Sequence, residues 1–389
     1  MIRVSDFGIL SDEKTDQTAA IQRLLDGCRG RGETIRFPRG TYLISGLRLY
    51  SDTTLYLESG AVLLGNPDCE AYPVFEPPAG VQMHTDMEMF PHYYGKKPWK
   101  EYRRAMISAY GEKGISILGE PGSLIDGQDC FDPNGEEGFR GPHGIFLTNC
   151  QGIELRGYTI SNSGNFMHQL DTCRDVLMRD VTCQGGSDGI HLHLCDGVEI
   201  VRCLFRTGDD CVAGIGIRNL HVHHCVLNTS CQPFRIGGVH ILVEDCYIYG
   251  PGYYPHRMTV VRSREEILPR EAGRHNLLSM VIFFASTEFP AAEHSHDIVF
   301  RNLLVENALR ILEYHGDSAA MLQAGDRLQD ITFENVRFTG LTTTIHASSP
   351  AEEPLHIHLK NVTASYGPQE TTGDWLDGDS PNTILTVED

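Results

Sequence analysis

The chain has 389 residues, 41% of them hydrophobic and 22% charged, and a formal net charge of −20 at pH 7. This composition supplies a large core and excludes global disorder. The negative balance argues against a nucleic-acid or anionic-membrane partner, and no run approaches the roughly 18 apolar residues of a spanning helix.

The first residues, Met1-Ile2-Arg3-Val4-Ser5-Asp6-Phe7-Gly8, lack the apolar centre of a secretory signal, so the sequence reads as cytoplasmic, or as secreted if a signal has been removed. Residues 1–33 form an N-terminal cap. Within it, 15–28 predict a helix, with Thr15 as N-cap and an apolar stripe of Ala19, Ala20, Ile21, Leu24, Leu25 and Cys28. Residues 34–65 read as the first strands, with Gly40 and Gly46 at turns. Residues 66–105 break the rhythm and read as an insertion. Its rings, His84, Phe90, His92, Tyr93, Tyr94, Trp99 and Tyr102, either wall one end of a cleft or pack on one another.

From about residue 150 a short alternating segment recurs every 21 to 23 residues. Ile153-Glu154-Leu155-Arg156, Val176-Leu177-Met178-Arg179, Val198-Glu199-Ile200-Val201, Leu220-His221-Val222-His223 and Ile241-Leu242-Val243-Glu244 are successive copies, and later ones begin at Ile298, Ile331 and Ile357. Period-2 alternation means strands. A repeat this short excludes helical pairs and propeller blades, and the leucine-rich signature is missing. A parallel β-helix remains, an all-β solenoid of ~22-residue coils stacked at about 4.8 Å. The coils run over 34–365, interrupted at 66–105 and 250–275. Cys150, Cys173 and Cys195 follow the period, as do Cys183, Cys203, Cys225 and Cys246. Such ladders read as buried free thiols, not ligands, and no C-x-x-C pair points to a metal or redox motif.

The chemistry-bearing feature is carboxylates at that period. Ser187-Asp188-Gly189-Ile190 precedes Gly208-Asp209-Asp210-Cys211 by one coil, so Asp188 and Asp210 are expected to stack, with Asp209 beside them. Carboxylates this close cannot all ionise freely. A protonated acid beside an ionised base is what glycoside hydrolysis requires. Asp-Gly turns satisfying local amides and a calcium site are the alternatives. His191, three residues after Asp188, and His168, one coil earlier, are candidates to line a subsite. The H-x-H pairs at 191/193, 221/223 and 356/358 can bind metals but on a solvent face usually bind nothing. Arg235 lies one coil beyond Asp210 and is either a candidate for binding a carboxylate or an ordinary surface arginine. Residues 250–275 form a second insertion carrying His256, Arg257, Arg262, Arg264, Arg270, Arg274 and His275 with Glu265, Glu266 and Glu271, and 366–389 is an acidic, loose tail.

The sequence resembles glycoside hydrolase family 28, the polygalacturonases and their relatives, from about residue 5 to 249 and on to 365. Asp6-Phe7-Gly8, Thr15-Asp16-Gln17-Thr18-Ala19-Ala20-Ile21-Gln22, Phe37-Pro38-Arg39-Gly40-Thr41-Tyr42, Leu55-Tyr56-Leu57-Glu58-Ser59-Gly60-Ala61 and Ile125-Asp126-Gly127-Gln128 carry the N-terminal likeness. These imply a right-handed β-helix, with Asp126 structural in its turn. The family's N-T-D-G is met by Gly186-Ser187-Asp188-Gly189 and its G-D-D-C by Gly208-Asp209-Asp210-Cys211. The resemblance implies Asp209 as general acid, Asp188 and Asp210 as the pair activating water, and inversion at the anomeric carbon. Two motifs depart. Where the family has G-H-G, the chain reads Ser230-Cys231-Gln232-Pro233, with Gln232 in the His position. Where it has R-I-K, the chain reads Pro255-His256-Arg257-Met258-Thr259, leaving Arg257 to meet a carboxylate.

The leading expectation is therefore an inverting glycoside hydrolase on a uronic-acid or pectin-related oligosaccharide, needing no cofactor. The alternatives are a uronate lyase or epimerase on the same fold, and a non-catalytic carbohydrate-binding β-helix.

Overall fold

The computed structural model describes residues 1–81, 99–258, 273–285, 293–316, 326–350, 352–367, 374–378 and 380–389. Of the two insertions, His84, Phe90, His92, Tyr93 and Tyr94, and Thr259, Arg262, Arg264, Glu265, Glu266, Arg270 and Glu271, lie outside the described residues. The fold is a right-handed parallel β-helix, and the chain divides into two compact units, Met1–His191 and Leu192–Asp389.

In the first unit the helix spans Thr18–Cys28 and buries Ile21, Leu24, Leu25 and Cys28, as its apolar stripe predicts. It starts three residues later than expected. Asp12 takes the backbone N–H and hydroxyl of Thr15, so Thr15 stays in strand Asp12–Asp16. Asp16 instead accepts from the Thr18 N–H at 2.8 Å and supplies the capping oxygen. Beyond it, parallel strands place like side chains in register. Tyr42, Leu63, Ile125, Ile160 and Cys183 form one buried column. Leu47, Ile107, Ile145 and His168 form another. Asp126 is structural: its Oδ1 accepts from the Gln128 N–H and from Asn162. Tyr102 is buried edge-on against His143 (centroids 4.7 Å apart) and Phe146. It is a core ring, not a cleft wall.

The second unit repeats the logic. Ile200, Val222, Val243, Phe300, Phe333 and Leu359 form one column without exposed surface. Truncating a buried phenylalanine in such a column costs about 3–5 kcal/mol. The copies expected at Ile298, Ile331 and Ile357 fall in strands His296–Glu306, Asp330–Leu341 and Leu355–Tyr366. The tail corrects the sequence reading. Residues Thr383–Glu388 form a strand paired in parallel with Leu355–Tyr366, because the last coil otherwise leaves a row of unpaired backbone groups.

One residue in the left-handed region makes each sharp bend. Asn149 and Thr172 do so in the first unit, and Arg202, His224, Asp245, Asn302, Asn335 and Asn361 in the second. Asparagine suits this conformation better than most side chains. Here its amide also bonds along the stack, Asn361 to Asn335, Asn335 to Asn302 and Asn302 to Asp245. Of the expected ladder cysteines, Cys183 instead lies inside strand Thr182–Gly185 in the Ile160 column, while the others directly follow a left-handed residue, Leu194 for Cys195. The thiols of Cys150, Cys173, Cys195, Cys203, Cys225 and Cys246 each donate to the carbonyl two residues back, at 3.1–3.5 Å. A small, weakly donating side chain fits that inner corner. All 12 cysteines are free and only Cys69 is other than buried. A thiol reagent should therefore label at most Cys69 in the native protein and all 12 after unfolding in denaturant, counted by mass. Several reactive native thiols would contradict the buried ladders.

Candidate active site

The second unit builds its acidic corner between strands Leu204–Thr207 and Val212–His223. Thr207 and Thr229 both direct their hydroxyls at the Asp209 carbonyl, the former at 2.7 Å, which fixes the backbone of the Asp-Asp pair. The next corner ties in from above. The Cys211 N–H donates to the Gln232 carbonyl, and the Gln232 N–H donates to Asp210 Oδ1 at 3.1 Å. Asp210 Oδ2 is buried with no hydrogen-bond partner among the described residues, and Arg235 Nη1 stands 3.7 Å from it. The Arg235 guanidinium lies 4.4 Å above the Phe284 ring, a cation–π contact that holds it in place. Burial, then the charge of Asp209, pushes the Asp210 carboxyl up to about 6, partly countered by Arg235 and the Gln232 N–H. This is the raised carboxylate expected from the sequence, and it is located on Asp210.

Asp209 has a neighbour that no motif singles out. His256 Nε2 lies 3.5 Å from Asp209 Oδ1, and both residues are buried. His256 arrives on the loop after strand Tyr247–Tyr249. Asn228 holds this loop by donating to the carbonyls of Tyr249 and Pro251 and accepting from the Tyr253 N–H. Ser230 donates to the Tyr254 carbonyl. Gly252 passes so close that a Cβ there would lie 2.0 Å from Ser230 Oγ and 2.6 Å from the Thr229 carbonyl carbon. The His256 N–H then donates to the Arg274 carbonyl. An Asn and Ser at the preceding corner followed by a Gly-containing loop are the only sequence signals of this arrangement. Arg257 follows His256 and is buried. The Gln232 side chain accepts from the Cys231 thiol at 2.7 Å.

The first unit holds Asp188. Its Oδ2 accepts from His191 Nδ1 at 2.9 Å, and the His191 ring stacks on Phe166 with centroids 4.4 Å apart. The Arg140 guanidinium lies 5.0 Å from the Phe166 centroid, and its Nε pairs with Glu137 at 2.8 Å. His191 is thus joined to a carboxylate. His168 is a correction. It lies in register with Ile145, with no exposed surface. Tyr158 OH meets its Nε2 at 2.9 Å and the Gly189 carbonyl its Nδ1 at 2.8 Å. The carbonyl can only accept, so the proton sits on Nδ1 and the Tyr hydroxyl donates to Nε2. Burial pushes the ring down to about 4, so it stays neutral as a core hydrogen-bonding residue and lines no subsite.

Asp209, Cys231 and His256 bring a carboxylate, a thiol and an imidazole within 4.8 Å of one another, and Cys69, Glu70 and Asp132 bring together a thiol and two carboxylates. Arg274 Nη2, 3.6 Å from Cys231 Sγ, sets a cation beside the first group, and Arg104 pairs with Glu70 at 2.8 Å in the second. Of the H-x-H pairs, His221 and His223 stack and engage Glu244 and Glu199, and both members of 191/193 are buried.

Residues 81–233 match the family model described as glycosyl hydrolases family 28, and residues 1–97 match one described as rhamnogalacturonase A/epimerase, pectate lyase-like. An exopolygalacturonase of Arabidopsis thaliana is 27% identical over 358 residues, covering 88% of this chain and 71% of its own. A Vitis vinifera protein described as a probable polygalacturonase is 27% identical over 223 residues, 54% of this chain. The chain spans only 43% of that relative's length. Among solved structures, the family 28 exopolygalacturonase of Yersinia enterocolitica covers 99% of this chain and 78% of its own at TM-score 0.67 and 17% identity. The exopolygalacturonase of Thermotoga maritima covers 99% and 91% at TM-score 0.66 and 14% identity. At these identities the structural likeness carries the fold.

Because the folded Asp210 carboxyl titrates near 6 against a reference of 3.8, the native state holds a proton there that the unfolded chain has lost. Stability contributed by this group is full below about 3.8 and is lost as pH rises through about 6. Asp210→Asn keeps the Oδ1 acceptor for the Gln232 N–H and removes the buried charge. It should stabilise the protein by about 1–3 kcal/mol at pH 7 and by nothing at acid pH. Urea melts of both proteins across this range check the sign. A variant less stable at pH 7 would contradict it.

Proposed function

The chain belongs to glycoside hydrolase family 28, and from that premise we propose that it hydrolyses glycosidic bonds in galacturonic-acid-containing oligosaccharides by single displacement with inversion. The observation that carries the reading is the buried Asp209–Asp210 pair, with an imidazole on one carboxylate and an unbonded oxygen on the other. Two adjacent buried carboxylates hold one proton between them more readily than none or two. In that state Asp209, beside His256, gives its proton to the leaving oxygen as the C–O bond breaks. Asp210, pushed up to about 6 by burial and the Asp209 charge with Arg235 and the Gln232 N–H only partly countering them, is ionised above that pH, and its Oδ2 then accepts a proton from the attacking water. Asp188 is the second carboxylate of the water-activating pair, the role the family motif assigns it.

Arg235 and Arg257 are the groups proposed to meet the substrate carboxylate. A guanidinium recognises a carboxylate through paired N–H donors, and the stacked Arg235 is already oriented. His256 is proposed to hold the Asp209 carboxylate in place for proton transfer.

Asp209→Asn should lose at least about a hundredfold in kcat on galacturonides. Proton NMR of the wild-type reaction should show the new reducing end first as the inverted anomer. An unsaturated uronate signal would move the reaction to elimination, and tight binding without turnover would make the protein a carbohydrate-binding scaffold. With Asp210 as base, kcat/KM should fall as pH drops through about 6, since protonation removes the base. A loss on raising the pH through the same value would exchange the roles of Asp209 and Asp210.

A further inference from the structure

We infer that His191 is a positioning residue for Asp188: its Nδ1–H fixes one carboxylate oxygen, and the ring is itself held by stacking on Phe166. The inference rests on the proposed hydrolase reading, in which Asp188 helps to orient the attacking water. A carboxylate that shares a water must present one oxygen in a fixed direction. The bracing comes from His191. The 2.9 Å bond is made to Oδ2. Because an ionised carboxylate only accepts, Nδ1 is the protonated nitrogen.

The imidazole is not free to follow the carboxylate. Its ring lies 4.4 Å from that of Phe166 at 30°, and Phe166 in turn carries the Arg140 guanidinium at 5.0 Å. Arg140 is pinned by Glu137 at 2.8 Å and reaches Asn165 Oδ1 at 3.4 Å. The Met167 N–H, next to Phe166, donates to the Asp188 carbonyl at 3.0 Å, so the platform and the carboxylate share one backbone frame. Glu137, Arg140, Phe166, His191 and Asp188 thus form a continuous column within the first unit that ends on a carboxylate oxygen. His191 is buried. What the imidazole adds is the directed N–H.

The test is kinetic, on the full chain with a galacturonide substrate. His191→Phe keeps a ring for Phe166 and removes the donor. It should lower kcat about 10- to 100-fold and leave KM within about twofold, since the substrate loses no direct contact. His191→Asn returns an N–H near the Nδ1 position and should recover most of kcat. In an Asp188→Asn background, His191→Phe should cost nothing further, because both changes disable one device. Unchanged kcat in a folded His191→Phe protein would overturn the inference, as would a loss that adds in full to that of Asp188→Asn. If His191→Phe fails to fold, His191→Asn decides through the same kcat and background comparison: a tenfold loss there, additive with Asp188→Asn, also overturns it. Full activity of Asp188→Asn alone would instead remove the hydrolase reading beneath it.

Discussion

A parallel ladder sets each residue against its counterpart one coil away, about 4.8 Å off, so every inward position is a column whose members must suit one another. Phe300 stacks on Phe333 with centroids 5.5 Å apart, in line with Val243 and Leu359. A slip of one residue would turn such a column to solvent and its polar flanks inward. The register is therefore held by many buried side chains together, and no single one needs to be strong. The bends inherit this precision. Single left-handed residues close the corners, and where a cysteine follows, as at Cys225 and Cys246, its thiol tucks under the carbonyl two residues before.

That rigidity is what lets the acidic corner exist. Burying Asp210 disfavours its charge, and placing Asp209 next to it disfavours it further. A looser backbone would relax by turning one carboxylate to water. Here the Asp209 carbonyl is held by two threonine hydroxyls, and Asp210 Oδ1 by a backbone N–H from the following corner. The fold thus carries a local electrostatic cost that its hydrophobic columns offset, and the cost is greatest where one proton must be shared. The same logic runs the other way at His168, where burial keeps an imidazole neutral and the two hydrogen bonds of that form are both satisfied.

The repeat, the strand period and the Asp-bearing corners were legible in the sequence because periodicity reports burial directly. The thiol ladders were legible for the same reason. What one sequence does not show is which side of a strand a polar residue takes when the flanking pattern is short. His168 and His191 both lie near a corner, and both read as cleft residues. Only the register of His168 with Ile107 and Ile145 shows that it faces the core. His256 was illegible for a different reason. Its position depends on a loop path set by Asn228 and by the close passage of Gly252, and neither leaves a periodic trace. Thr383–Glu388 was missed because acidic residues masked a strand that the end of a stack needs as a partner.

The departure at Gln232 becomes intelligible once backbone and side chain are separated. What that corner gives Asp210 is a main-chain N–H, which any residue but proline supplies. The side chain at this position is therefore not what holds the carboxylate, and its oxygen is occupied by the Cys231 thiol. An imidazole does stand beside Asp209, but it comes from His256, 24 positions further along, on a loop anchored to the same corner by Asn228 and Ser230. The clamp on residues 249–254 sets the loop path that brings His256 there. It also explains why a motif comparison along the sequence registers a missing histidine while the carboxylate in the structure has one.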